Sequence, residues 1–268
     1  MKNSFYRYFV RSGWPERIDA PAGIGAKFIK TLDALSCIDP IFATWEIFDK
    51  RNVSLLPLST ARPCMTAIVE GNVARDDFDN PVPLYRGYRA SAMAGEFRNP
   101  QGANFSVNAG GRYENGTKLE FGEYDVAPDL TIITYPLFKA ALLAINEIWG
   151  APWACAQAFR SGAVAVPMDF GGVRGSRIES VTQVPVDPAF PRSIFHIPWI
   201  AYLAEPLASG LRLSPEILSE RTRDGGILMT ACEERLDPTN PEHVRRARIL
   251  AETLIACTGY QPGGKMRV

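Results

Sequence analysis

The chain has 268 residues, 46% of them hydrophobic, which is enough apolar material for a large core and too much for general disorder. Lys and Arg together number 29, as do Asp and Glu, so long-range attraction to nucleic acid or to an anionic membrane is excluded as an organising feature. Its five cysteines are odd in number and widely spaced, and most sit in apolar runs, so they read as buried free thiols of a reducing compartment, the cytoplasm.

Residues 1–10 carry Lys2 and Arg7 without the apolar stretch and small-residue site of a signal peptide. Phe5 to Val10 is aromatic and β-branched and is followed by Gly13, which predicts a first strand. Trp14-Pro15-Glu16-Arg17 turns the chain. From Pro21 to Ser36, Ile24, Phe28, Ile29, Leu32 and Leu35 line one face of an amphipathic helix, with Lys27, Lys30 and Asp33 opposite; Asp39-Pro40 ends it. Trp45 to Phe48 is expected as a strand, Leu55 to Ser59 as a loop, and Cys64 to Val69 as a short helix ending at Gly71. Arg75 to Pro83, with its acids and two prolines, reads as a surface loop.

Tyr85–Ala94, Ala103–Ala109 and Lys118–Tyr124 are three strand candidates of an antiparallel meander, and Asn115-Gly116 is the hairpin signal between the last two. Leu137 to Trp149 is apolar on most sides, as in a helix buried against a sheet. It is far shorter than the roughly 18 apolar residues of a membrane span. Trp153 to Phe159 predicts another strand, and Gly- and Pro-rich Ser161 to Pro198 predicts long loops. Trp199 to Leu203 reads as a strand, Pro215 to Glu220 as a short helix, and Ile227 to Cys232 as a buried strand. Asn240 then caps a C-terminal amphipathic helix that has Pro241 at its first position and Val244, Ala247, Leu250, Ala251, Leu254 and Ile255 on one side. Helices alternating with runs of short strands predict an α+β fold with a largely antiparallel sheet. Residues 1–268 form one domain in this reading, with room for two lobes at about 1–130 and 131–268.

The residues of chemistry are sparse. His243 reads as a solvent-facing residue of a helix's first turn, and His196 as a core or edge-strand histidine among apolar neighbours. No His-Glu-x-x-His run or Cys-x-x-Cys pair is present to build a zinc site, so no metal, no cofactor and no catalytic residue is expected. Asp76-Asp77-Phe78-Asp79-Asn80 lacks the glycine and later glutamate of a calcium loop and reads as a turn. Gly171-Gly172-Val173-Arg174-Gly175 is not followed by the Lys-Ser/Thr of a phosphate cradle. Glu233-Glu234 follows a strand, a position from which a carboxylate could act as acid or base. One stretch departs from neutrality: Glu114, Glu120, Glu123, Asp125 and Asp129 face only Lys118. It is either a solvated hairpin face or an acidic patch for a basic partner.

Two blocks carry a resemblance. The run Gly225-Gly226-Ile227-Leu228-Met229-Thr230-Ala231-Cys232-Glu233-Glu234-Arg235-Leu236-Asp237, followed by Asn240-Pro241-Glu242-His243-Val244, resembles the C-terminal signature of the bacterial immunity protein 52 family. Trp14-Pro15-Glu16-Arg17, the helix after it, and Ile38-Asp39-Pro40 with Phe42 and Trp45 resemble that family's N-terminal block. Weaker echoes lie at Tyr85–Met93 and Trp199–Leu203, while the Gly- and Pro-rich middle matches nothing in the family.

The resemblance implies an antidote of a polymorphic toxin system, of the contact-dependent or type VI secretion kind. Such a protein binds and silences a cognate toxin, often a restriction-endonuclease-like nuclease, by stoichiometric contact and without catalysis. The expected partner is therefore a toxin, with no direct nucleic acid and no membrane. Glu120, Glu123, Asp125 and Asp129 are the candidate partner-binding residues, placed where they could meet a phosphate-binding groove. Two rivals stand beside this: a hydrolase using Glu233 or Glu234 with a metal held by acids, and a secretion adaptor that binds an effector without silencing it.

Overall fold

The computed structural model describes residues 5–76, 78–95, 99–112, 115–122, 126–161 and 197–257. Glu114, Glu123, Asp125, His196 and nearly all of the Gly- and Pro-rich segment lie outside them. In chain order the elements are β1 (Phe5–Gly13), α1 (Pro21–Ser36), a 3-10 turn (Pro40–Phe42), β2 (Trp45–Asp49), β3 (Ser54–Pro57), α2 (Leu58–Ala61), a second 3-10 turn (Arg62–Cys64), α3 (Met65–Gly71) and α4 (Pro83–Arg86). There follow β4 (Tyr88–Ala94), β5 (Ala103–Ala109), β6 (Gly116–Phe121), α5 (Tyr135–Trp149), β7 (Trp153–Ser161), β8 (Ile197–Leu203), α6 (Glu205–Ala208), β9 (Leu218–Arg221), β10 (Ile227–Thr230) and α7 (Pro241–Cys257).

The fold is α+β. Among the described residues ten strands form one antiparallel sheet in the order β3-β2-β4-β5-β6-β1-β7-β8-β10-β9. The expected meander is β4-β5-β6, and the N-terminal strand β1 completes it by pairing with β6 on one side and β7 on the other. Strand alternation then sorts the side chains. Tyr8, Val10, Phe105, Val107, Leu119 and Phe121 point to one face and join the core of Phe28, Leu32 and Leu35 from α1 with Phe138, Leu142 and Ile145 from α5. Phe28 lies 5.4 Å from Phe105 and Phe138 lies 4.6 Å from Phe121, centroid to centroid. Each such buried ring contributes roughly 1.5–3 kcal/mol over an exposed one.

The helices form where the periodicity places them. Pro21 opens α1, and Pro136 sits in the first turn of α5. Gly150 closes α5 at a φ of 58°, a left-handed cap that glycine takes without strain. The two helices are joined by a hydrogen bond from Trp149 Nε1 to the buried Thr31 hydroxyl, 3.0 Å long. At the C-terminus, Asn240 Oδ1 accepts the Glu242 N–H at 2.9 Å, so the predicted cap is made. Ala247, Leu250 and Leu254 are buried, and α7 packs on β8. Among the described residues no helix is long and apolar enough to cross a membrane.

Several expectations are corrected. Leu55–Ser59 is not a loop: Ser54–Pro57 is a strand at the sheet's edge, where Pro57 is tolerated, and Leu58 starts a helical turn. Pro215–Glu220 is not a helix, because Leu218–Arg221 pairs with β10 as the opposite edge strand, exposed at all four positions. Tyr85 and Arg86 belong to a helical turn ahead of β4. Asn115-Gly116 is not a two-residue turn either. Gly116 already pairs with Asn108 in β6, and buried Asn115 bonds the backbone of Gly111 and Pro15. The thiols are not uniformly buried: Cys155 and Cys232 are, but Cys37 is exposed and Cys64 half-buried, because each flanks a helix end rather than sitting in a strand.

Candidate functional site

The sheet's second face, turned away from α1 and α5, carries the polar positions of the same strands. Strand register sets two neighbouring rows there. Ser91, Ser106, Lys118, Arg11 and Cys155 are successive cross-strand partners over β4, β5, β6, β1 and β7. Beside them run Arg89, Asn108, Gly116, Gly13 and Trp153. Two glycines and two serines in the middle leave a hollow of about 540 Å³, walled by Arg89 on one side and by Trp153 and Arg11 on the other.

The glycines are required by space. A Cβ on Gly116 would lie 2.5 Å from the Ser12 carbonyl oxygen, and one on Gly13 would lie 2.4 Å from the Trp153 ring. The indole of Trp153 thus lies directly over Gly13. On the core side of the same strands Ser12 and Thr117 share a hydrogen bond of 2.6 Å, which ties β1 to β6 beneath the hollow.

Three cations line the hollow, Arg11, Arg89 and Lys118, and among the described residues no carboxylate does. Glu120, one turn of the strand pleat from Lys118, bonds Lys118 and also Arg7, the latter at 3.0 Å. Arg7 and Lys118 therefore share one carboxylate, whose charge also acts on Arg11. Arg11 and Lys118 flank the buried Phe9 ring at 5.0 and 5.4 Å. Burial lowers the pKa of both, opposed in each case by the charge of Glu120. Arg89 stands exposed at the rim. Asn115, which also lines the hollow, holds the Gly111 backbone, and the Arg112 N–H bonds the carbonyl of Leu84, which like Tyr85 is more than half exposed.

The candidate partner residues sit as follows. Glu120 lies on the second face within the network just described. Asp129 lies in the loop after β6, where it accepts from Gln101 Nε2 and from Thr131, bonds that hold its carboxyl below the usual range. Glu123 and Asp125 lie outside the described residues. The hollow itself escapes a linear reading, since its cations come from three strands distant in sequence. The local signal was the placement of Arg7 and Arg11 at even spacing in a strand otherwise made of core residues.

A second cluster lies in the C-terminal block. Cys232 Sγ, a Glu234 carboxylate oxygen and a His243 ring nitrogen approach within 4.8 Å of one another. His243 is half-buried rather than solvent-facing, because its ring turns back from α7 to the preceding loop. There Nδ1 accepts the Asp237 N–H at 3.0 Å. A backbone amide can only donate, so the neutral ring carries its proton on Nε2 and has no lone pair left for a metal. Burial and the charge of Glu234 push the Cys232 thiol up to about 12, so it stays protonated. As bonded, this trio is a hydrogen-bonding cluster. Glu233 is exposed. Asp76 closes the expected turn by accepting the N–H groups of Phe78 and Asn80.

No family model matches this chain. No curated protein matches it. Among solved structures, the T6SS protein PA0821 of Pseudomonas aeruginosa aligns with a TM-score of 0.47 and 11% identity, over 94% of this chain and 73% of that one.

Proposed function

We propose that this chain is a cytoplasmic immunity protein that binds and neutralises a cognate secreted toxin, probed as a nuclease first, by stoichiometric protein–protein contact rather than by catalysis. The observation that supports this reading is a hollow on the sheet's second face, built on paired strands and lined with Arg and Trp. Aromatic residues and arginine are what protein interfaces enrich, and side chains fixed on strands lose little entropy on docking. The residues that carry the resemblance are, by contrast, spent on the fold. Leu236 and Cys232 offer their carbonyls to Tyr8 and Trp199, Asp39 caps a 3-10 turn, and Trp14 stacks on Trp149 at 5.3 Å.

The test is to express the chain with the toxin encoded beside its gene. Growth should be restored, and the two proteins should co-purify as an equimolar complex. Cells that remain arrested, or a chain that protects by turnover at a small fraction of the toxin's amount, would overturn the reading.

A further inference from the structure

We propose that the hollow on the sheet's second face receives an acidic loop of the toxin, with a carboxylate seated among Arg11, Lys118 and Arg89. The inference rests on the immunity reading and adds the sign of the partner's charge at the contact.

Three observations carry it. First, the lining is one-signed: three cations and, among the described residues, no carboxylate, in a chain whose total charge is zero. Second, Arg11 and Lys118 are direct cross-strand partners, a like-charge pairing that weakens a sheet unless an anion lies between or beside the two. Glu120 bonds Lys118 and is shared with Arg7, yet it does not line the hollow, where Arg11 and Lys118 present their charge with no carboxylate among the described residues. Third, Arg11 and Lys118 are partly desolvated, and a carboxylate meeting them there is attracted more strongly than it would be by a fully solvated cation. Ser91, Ser106 and Asn108 line the same space with hydrogen-bonding groups.

A protein loop fits better than a nucleic acid strand. The cations form one compact group on three strands and not a track that follows a nucleic-acid backbone. A hollow of about 540 Å³ has room for a few side chains of a loop.

The experiment measures association of the full chain with its toxin as a function of salt, for the wild type and for Arg89→Glu and Lys118→Gln. Arg89 is exposed, so its reversal leaves the fold intact, and a thermal melt of each variant checks this. Arg89→Glu should slow association by about tenfold or more at low salt and flatten its salt dependence. An Asp- or Glu-to-Arg change in the contacting toxin loop should restore the rate to Arg89→Glu. Folded variants that bind at the wild-type rate with unchanged salt dependence overturn the inference while the immunity reading stands. Faster association by Arg89→Glu overturns it too, since the partner surface would then be basic. So does Arg89-dependent binding of a single-stranded oligonucleotide by the chain alone, which would make the hollow a nucleic-acid site. A wild-type chain that binds no toxin sinks the immunity reading itself.

Discussion

The hydroxyl of Tyr8, in the central strand β1, donates a 2.7 Å hydrogen bond to the carbonyl of Leu236, 228 residues further along the chain. This buried bond fastens the loop after β10 to the middle of the sheet, and Trp199 Nε1 makes a parallel tie to the Cys232 carbonyl at 2.8 Å. The C-terminal block is thereby anchored on β1 and on β8.

Tyr8→Phe leaves the Leu236 carbonyl buried without that donor, which should cost about 1–3 kcal/mol and lower Tm by several degrees. The pH dependence has a defined sign. Burial raises the Tyr8 pKa well above its ordinary value of 10.0, so the folded state favours the neutral phenol. Its contribution is complete below about pH 10 and is lost as pH rises beyond that. Stability of the wild type should fall on the alkaline side more steeply than that of Tyr8→Phe, as read by chemical denaturation across that range. Equal slopes would show that Tyr8 titrates as a free phenol.

On the acid side Glu242 is the group to watch. It bonds Arg245 and Arg246, both at 2.8 Å, in the first turn of α7, and these bonds lower its pKa from 4.5 to about 2. A depressed carboxylate contributes above its unfolded pKa and loses that contribution as pH falls through the folded one. Helix α7 should therefore loosen between about pH 4.5 and pH 2, and Glu242→Gln should make that limb shallower. Amide exchange of α7 across this window is the measurement. An unchanged acid limb in the variant would mean that the two arginines are held by other partners.

Much of the fold was legible from residues and much of the site was not, for separable reasons. Helices α1, α5 and α7 announce themselves because Phe28, Leu32 and Leu35, or Ala247, Leu250 and Leu254, recur at helical spacing and are in fact buried. The edge strands β3 and β9 do not. In β9 every side chain is exposed, in β3 the run Ser54-Leu55-Leu56-Pro57 hides its alternating burial behind two adjacent leucines, and Pro57 and Pro215 suggested other structures. The hollow was illegible for a different reason. Arg11, Arg89 and Lys118 meet only through the register of β1, β4, β5 and β6, and a shift by one residue would send each to the other face. The acidic stretch was visible because it is local, yet Glu120 is already engaged by Arg7 and Lys118, which linear charge counting cannot reveal.

The C-terminal trio gives a prediction about metals. His243 can ligate only if Nδ1 releases the Asp237 N–H, which then remains in a half-buried loop without its acceptor. Protein purified without chelator should therefore contain no stoichiometric transition metal by elemental analysis. His243→Ala should lower stability by about 1 kcal/mol through the lost hydrogen bond, equally with and without added zinc. Zinc that raises the wild-type Tm at micromolar concentration, and fails to do so for His243→Ala, would show a metal site instead.

The two glycines beneath the hollow should separate stability from binding. In Gly116→Ala the new methyl meets the Ser12 carbonyl oxygen at 2.5 Å, a backbone atom of the paired strand, so β1 and β6 must move apart. That strain should cost on the order of 1–3 kcal/mol. In Gly13→Ala the obstacle is the Trp153 ring at 2.4 Å, a buried side chain that must shift while the strand backbones stay paired. The loss of stability should be smaller, but the wall of the hollow is displaced. Gly13→Ala should therefore bind the partner more weakly than its melting temperature would suggest, whereas Gly116→Ala should lose both together. Thermal melts paired with binding isotherms for the two variants decide this. If Gly116→Ala melts with the wild type, the strands yield more easily than their spacing implies. If Gly13→Ala binds with the wild type, the Trp153 wall takes no part in recognition.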